Sequence, residues 1–175
     1  TLMKTSADSL KKSADALNDS SLWEKKKIKK KDEKTGEEIE AEDYDWDKIT
    51  KAVKSFVEDY NDVVKEAGES NTKDVLRNAS WMTGMTDKNS NMLAKIGITI
   101  GKGNKLELDE DAIKQADISS LKTVFTGYNS FVSKISQKAT GISNAANRAS
   151  ATYTNNGTYS KTDSSLTSSK IDKEV

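Results

Sequence analysis

The sequence predicts a mainly α-helical protein, an elongated antiparallel helical bundle or coiled coil. A small β-hairpin at about Ile96–Leu108 and a second, charged hairpin at about Lys25–Glu42 interrupt it. Three observations carry this expectation. Apolar residues recur at alternating spacings of four and three in separate stretches of the 175-residue chain, the repeat that holds one stripe of a helix against a neighbour. Proline is absent, which leaves long helices unbroken. Hydrophobic residues make up 34% and charged residues 32%, lean for a thick core but suited to helices that each bury one stripe. A single elongated domain over residues 1–153 is expected, followed by a polar, partly mobile tail over 154–175 with a weak apolar continuation at Leu166, Ile171 and Val175.

The first helix is expected from Met3 to near Leu22, on the stripe Met3, Ala7, Leu10, Ala14, Leu17 and Ser21. Its small residues permit close approach but bury little area each. Next comes EKKKIKKKDEKTGEEIEAEDYD, in which a basic half precedes an acidic half. With a turn at Glu33–Gly36 and Gly36 in the left-handed conformation, Lys31 faces Glu38, Lys29 faces Glu40, Lys27 faces Glu42, and Ile28 faces Ala41 on the other side. The competing readings of this run are an irregular loop and a basic patch for nucleic acid or acidic lipid, and the adjoining acidic half cancels the field such a patch needs.

The stretch Asp45–Ala67 organises the rest. Ile49, Val53, Phe56, Tyr60, Val63 and Ala67 form its stripe, and Lys51, Lys54, Glu58, Asp59, Asp62 and Lys65 its solvated face. Gly68 is placed as its stop, and Asn71 or Thr72 as the cap of a third helix with Val75, Leu76, Ala79 and Met82 on one face. Trp81 and Met85 flank that face, and Gly84 with the polar run Thr86–Asn91 weakens it; core packing is weighed above a methionine-rich partner surface. The period then changes. Ile96, Ile98 and Ile100 alternate with Gly97 and Thr99, Leu106 and Leu108 alternate with Lys105 and Glu107, and Gly101–Asn104 supplies the turn. The triplet Asp109-Glu110-Asp111 reads as a helix cap with acidic first-turn residues, since its spacing lacks that of a calcium loop. A short helix over Ala112–Ala116 and another capped by Asp117, with Ile118, Leu121, Val124 and Phe125 inward, lead to Gly127. From Tyr128 the heptad stripe returns at Val132, Ile135, Ala139, Ile142, Ala146, Ala149 and Tyr153, a helix expected to lie along both the organising helix and the first one.

Composition narrows the function. Lysine plus arginine and aspartate plus glutamate both number 28, so net charge points to neither nucleic acid nor anionic membrane as a partner. No apolar run approaches the ~20 residues of a bilayer span. Histidine and cysteine are absent, which removes the Ser-His-Asp triad, thiolate chemistry and the commonest metal ligand. The chain is expected not to be an enzyme, to carry no cofactor and to take no small-molecule substrate. Opening at Thr1 inside a helical pattern, it is read as a fragment whose upstream part was removed. The residues singled out are the packing seam itself: Ile49, Val53, Phe56, Tyr60 and Val63 with Val132, Ile135, Ala139, Ile142 and Ala146. Trp23, Trp81 and Tyr159 are the candidate exposed contacts.

Two blocks resemble a known family. ITKAVKSFVEDYNDVV, Ile49 to Val64, is similar to the helix of flagellar filament-capping proteins of the hook-associated protein 2 type, with a motif like FVxxYNxxV ahead of the stalk. IGITIGKGNKLELDEDAIKQADISSLKTVFTG resembles that family's C-terminal signature, combining IGI, a turn, KLxLDE, a short helix and an ending at Val124-Phe125. The resemblance implies an axial flagellar protein, extracellular and exported without a cleaved signal: a stalk module that self-associates in a cap-like oligomer and contacts flagellin-like axial proteins. The alternative is a cell-surface or secreted helical binding protein unrelated to capping.

Overall fold

The structure, a computed structural model, describes residues 1–157, with side chains through Ala151. Tyr159, Leu166, Ile171, Val175 and the rest of the expected tail from residue 158 onward lie outside the described residues. The elements run α1 (Leu2–Leu17), β1 (Lys26–Lys31), β2 (Glu38–Asp43), α2 (Trp46–Gly68), α3 (Lys73–Lys88), α4 (Ser90–Ala94), β3 (Ile98–Ile100), β4 (Leu106–Leu108), α5 (Glu110–Gln115), α6 (Ile118–Phe125) and α7 (Phe131–Gly157). The described residues are mainly helical, with two separate two-stranded antiparallel hairpins.

Four helices form the frame. α1 packs on α2 and α7, and α3 packs on the same two, so α1 and α3 share one diagonal and α2 and α7 the other. Neighbours run antiparallel: Asp8 and Asp15 of α1 meet Ser143 and Ser136 of α7, and Asp74 and Trp81 of α3 meet Arg148 and Lys138 of α7. This corrects one expectation, because α7 lies along α1 and α3 and reaches α2 only across the core. The physical reason is size. The slim α1 stripe of Ala7, Leu10, Ala14 and Leu17 lets two helices approach it, whereas the rings of Phe56, Tyr60 and Phe131 hold α2 and α7 apart. Phe56 meets Phe131 at 6.2 Å and Tyr60 at 6.2 Å between ring centroids.

Two helix boundaries also differ from expectation. α1 ends at Leu17 rather than near Leu22, because Asp19 accepts from the Ser21 N–H and opens a 3₁₀ turn, Ser20–Trp23, leaving Ser21 exposed. The indole N–H of Trp23 then donates to the Leu17 carbonyl at 2.7 Å, satisfying a helix-end acceptor. α7 begins at Phe131 rather than Tyr128. Gly127 turns the chain at φ 102°, the Ser130 hydroxyl accepts from the Ser133 N–H, and Tyr128 stands 85% exposed while Phe131 fills the core position. Along α3 the buried positions are Val75, Ala79, Met82 and Thr86. Leu76, expected inside, is exposed, and the stripe instead runs on through a polar residue.

That residue is buried with its partners. The Tyr60 hydroxyl donates to Thr86 Oγ1 at 2.8 Å, and Thr86 donates in turn to the Met82 carbonyl at 2.9 Å. Burial pushes the Tyr60 phenol up to about 12, against the opposing effect of its bond to Thr86.

Residues 89–130 leave the frame between α3 and α7 and are pinned back by two asparagines. Asn61 donates through Nδ2 to the Leu106 carbonyl at 3.0 Å and accepts the Leu106 N–H at 2.7 Å. Asn18 does the same with Gly127, at 3.3 and 2.9 Å. Each amide imitates the donor–acceptor pair of a neighbouring strand. Within the excursion, Ile98 pairs with Leu108, Thr99 with Glu107 and Ile100 with Leu106, so the strands are shorter than the expected Ile96–Leu108. Gly97 has φ +92°, and a Cβ there would stand 2.8 Å from Ala112 Cβ and 2.9 Å from the Asp109 carbonyl oxygen. Asp109 caps α5, its carboxylate accepting from the Asp111 and Ala112 N–H groups.

The charged hairpin has the expected register, Lys31 opposite Glu38, Lys29 opposite Glu40, Lys27 opposite Glu42 and Ile28 opposite Ala41. Gly36 takes φ 73°. At its base Tyr44 meets Trp46 edge-on at 6.0 Å, and Lys25 Nζ lies 5.7 Å from the Tyr44 ring centroid.

Candidate functional site

The seam residues lie inside the frame. Ile49, Val53, Phe56, Tyr60, Val63, Val132, Ile135, Ala139, Ile142 and Ala146 are all buried. In this chain they are occupied by one another and by α1 and α3, so a partner has to meet other residues. Of the expected exposed contacts, Trp23 is buried, stacked on Phe125 at 5.8 Å with an interplanar angle of 12°. Trp81, the other one among the described residues, faces out, at 66% exposure.

Trp81 lies in a groove between α3 and α7. Its α3 wall is Ser80, Trp81, Gly84, Met85, Lys88 and Asn89, its α7 wall is Lys134, Gln137 and Lys138, and its volume is about 640 Å³. Lys138 Nζ sits 4.0 Å from the Trp81 ring centroid. At an exposed site this cation–π contact is worth about 0.5–1 kcal/mol, enough to hold the ring flat without burying it. Gly141 of α7 makes room for a side chain of α3 here: a Cβ on it would stand 2.6 Å from Asn78 Oδ1. Asn78 is held by its own bond to the Asp74 carbonyl. The lining charges are all positive, and the lining apolar surface is Trp81 and Met85. Such a groove accepts a segment that combines an apolar side chain with flanking carboxylates.

The lysines of the groove were missed by reasoning from one stripe per helix. Trp81, Met85 and Lys88 step by four and three, a second stripe turned away from Val75, Ala79 and Met82, and Lys134 and Lys138 repeat at four on α7. Two faces on one helix are legible once the first is assigned to the core.

Carboxylates cluster elsewhere, on α1. Asp8 and Asp15 each take an ion pair from the lysine one turn earlier, Lys4 at 2.7 Å and Lys11 at 2.6 Å. Each also accepts from a serine of α7, Ser143 at 2.6 Å and Ser136 at 2.7 Å. The Lys4 and Ser143 bonds hold the Asp8 carboxyl below its ordinary value. At Asp15 burial acts to raise the carboxyl, and the Lys11 and Ser136 bonds outweigh it, so the net direction is also down. Asp59 on α2 goes the other way, raised by burial against its bond from Ser13. Among the described residues no group of three or more His, Cys, Asp or Glu is arranged to hold a metal ion, and no helix is long and apolar enough to cross a membrane. Compared with protein-family models, curated proteins and solved structures, the chain matches none.

Proposed function

We propose that the chain is a structural and interaction protein of the flagellar filament-capping type, a helical stalk module that works by binding proteins rather than by catalysis. The observation that carries the binding reading is the Trp81 groove, an exposed aromatic ring ringed by Lys88, Lys134 and Lys138 on a frame whose apolar seams are already filled. Kinship with the capping proteins draws support from the two blocks that resemble them. Tyr60 and Asn61, the YN of the first block, bond Thr86 and the Leu106 backbone, and Leu106 belongs to the KLxL of the second. The blocks therefore meet in one place, so a reason exists for both to occur in one chain. On this reading the protein acts outside the cell at the bacterial flagellum, and its partners are flagellin-like axial proteins bearing an apolar anchor among acidic residues.

The test is co-sedimentation of the full chain with flagellin, in wild type and Trp81→Ala. The expected result is binding that falls at least about tenfold in the variant while the thermal midpoint drops by no more than about 1–4 °C, the share of the lost cation–π contact. Flagellin binding equal in the two proteins would remove the groove, and no binding by the wild type would remove the axial partner.

A further inference from the structure

We propose that the β1–β2 ribbon is a head-to-tail contact between copies of this chain, the basic edge of one ribbon pairing with the acidic edge of the next. The inference rests on the reading of the chain as an assembling protein and assigns the surface and its polarity.

The argument begins with hydrogen-bond parity. The Asp32 N–H donates to the Glu37 carbonyl at 2.8 Å, one step beyond the Lys31–Glu38 pair. Bonded and non-bonded pairs alternate along an antiparallel ladder, so Lys30–Ile39, Ile28–Ala41 and Lys26–Asp43 bond each other. Lys31, Lys29 and Lys27 therefore turn their backbone N–H and C=O groups out along one edge, and Glu38, Glu40 and Glu42 do so along the other. All six residues are exposed, and the ribbon packs chiefly on itself.

Charge then decides which edges can meet. Among the described residues the ribbon's ion pair within 4.0 Å is Lys30–Asp43 at 3.1 Å, on the face shared with Ile28 and Ala41. The six charges of the edge-facing residues close none. Lysines on an exposed strand ordinarily block edge pairing. Here two β1 edges would bring Lys against Lys and two β2 edges Glu against Glu, both unfavourable directly across a ladder. A β1 edge against a β2 edge brings Lys27, Lys29 and Lys31 opposite Glu42, Glu40 and Glu38 of the second copy, in the antiparallel sense and with every outward backbone group bonded. Such a contact uses two different surfaces and so propagates, to a ring or a helical row, instead of stopping at a dimer. Strands about 4.8 Å apart and twisted about 20–25° each turn successive copies by about 45°, which fans the helical frames outward from a common ribbon stack.

The test is sedimentation velocity of the full chain across concentration at about 0.02 M and about 0.5 M salt. Three proteins are compared: wild type, Lys29→Pro, and the exchange K27E/K29E/K31E/E38K/E40K/E42K. Proline at 29 removes an outward N–H and leaves the bonds inside the ribbon in place, which amide exchange at Ile28 and Ala41 checks. The expected result is association of the wild type that weakens at high salt, at least about tenfold weaker association of Lys29→Pro, and association retained by the exchanged ribbon. Lys29→Pro associating like wild type would overturn the ribbon contact and leave the assembly reading standing. A wild type that stays monomeric at every salt yet binds flagellin would overturn the ribbon contact alone.

Discussion

Removing the Thr86 hydroxyl should cost more than removing the Tyr60 hydroxyl that bonds to it, because the two substitutions leave different groups stranded. Tyr60 is fully buried and Thr86 is 1% exposed, so water replaces neither partner. In Tyr60→Phe the Thr86 hydroxyl still donates to Met82, and one net hydrogen bond is lost, about 1 kcal/mol. In Thr86→Val the phenol O–H is left in the core with no acceptor, which costs about 1–3 kcal/mol. The double variant strands nothing and should cost little more than Tyr60→Phe alone, giving a coupling of about 1–2 kcal/mol. Urea unfolding at pH 7 with a constant m-value measures all four corners of the cycle. The same pair predicts an alkaline limb. The phenol titrates near 10 in the unfolded chain and at about 12 in the fold, so between those values the unfolded chain has released a proton that the fold retains. Stability therefore falls as pH rises from 10 to 12, by about 2 kcal/mol at pH 12, and that portion is missing in Tyr60→Phe. Costs that add without coupling, together with the same alkaline limb in wild type and Tyr60→Phe, would refute the buried relay.

Gly97→Ala should destabilise the fold by about 2–4 kcal/mol in urea unfolding, since it joins a left-handed backbone to contacts with Ala112 and the Asp109 backbone. Gly101→Ala should cost less than about 0.5 kcal/mol, because its neighbour is the exposed and movable Glu107 side chain. Asp8 and Asp15 have lowered carboxyl values in the fold, so the stability they contribute is present above about pH 4 and is lost as pH falls through those lowered values. The gap in stability between wild type and S136A/S143A should accordingly narrow as pH drops from 5 toward 2; a gap that widens would contradict the serine bonds as its source.

What the sequence revealed and what it hid divide along physical lines. The α2 stripe from Ile49 to Ala67 is buried throughout, because six apolar positions at one period leave a helix no other face to bury. The register of β1 and β2 was legible for a similar reason: opposite charges and Gly36 both select it. The stripe of α3 was misjudged at Leu76, since adjacent apolar residues sit about 100° apart on a helix and only the packing of Thr86 under Tyr60 shows which one belongs. Tyr128 failed because Gly127 reverses the chain just before it. Which helices become neighbours was not legible, as a stripe states that a face is buried without naming its partner. The two asparagine clamps, each a pair of bonds, join residues 45 and 109 apart in the chain and leave no periodic mark at all. The Trp81 groove stands in between: Trp81 and Lys88 share a legible second face of α3, but Lys134 and Lys138 join them only when α7 is laid against α3.

The charged ribbon leaves and re-enters the helical body at one point, with Lys26 and Asp43 directly paired, and packs chiefly on itself. A sequence of any length whose ends lie a strand's width apart can replace it without disturbing α1 or α2. The body therefore offers a natural graft position, where an entire folded unit or a short epitope can be mounted between Glu24 and Tyr44 and carried outward by the same scaffold.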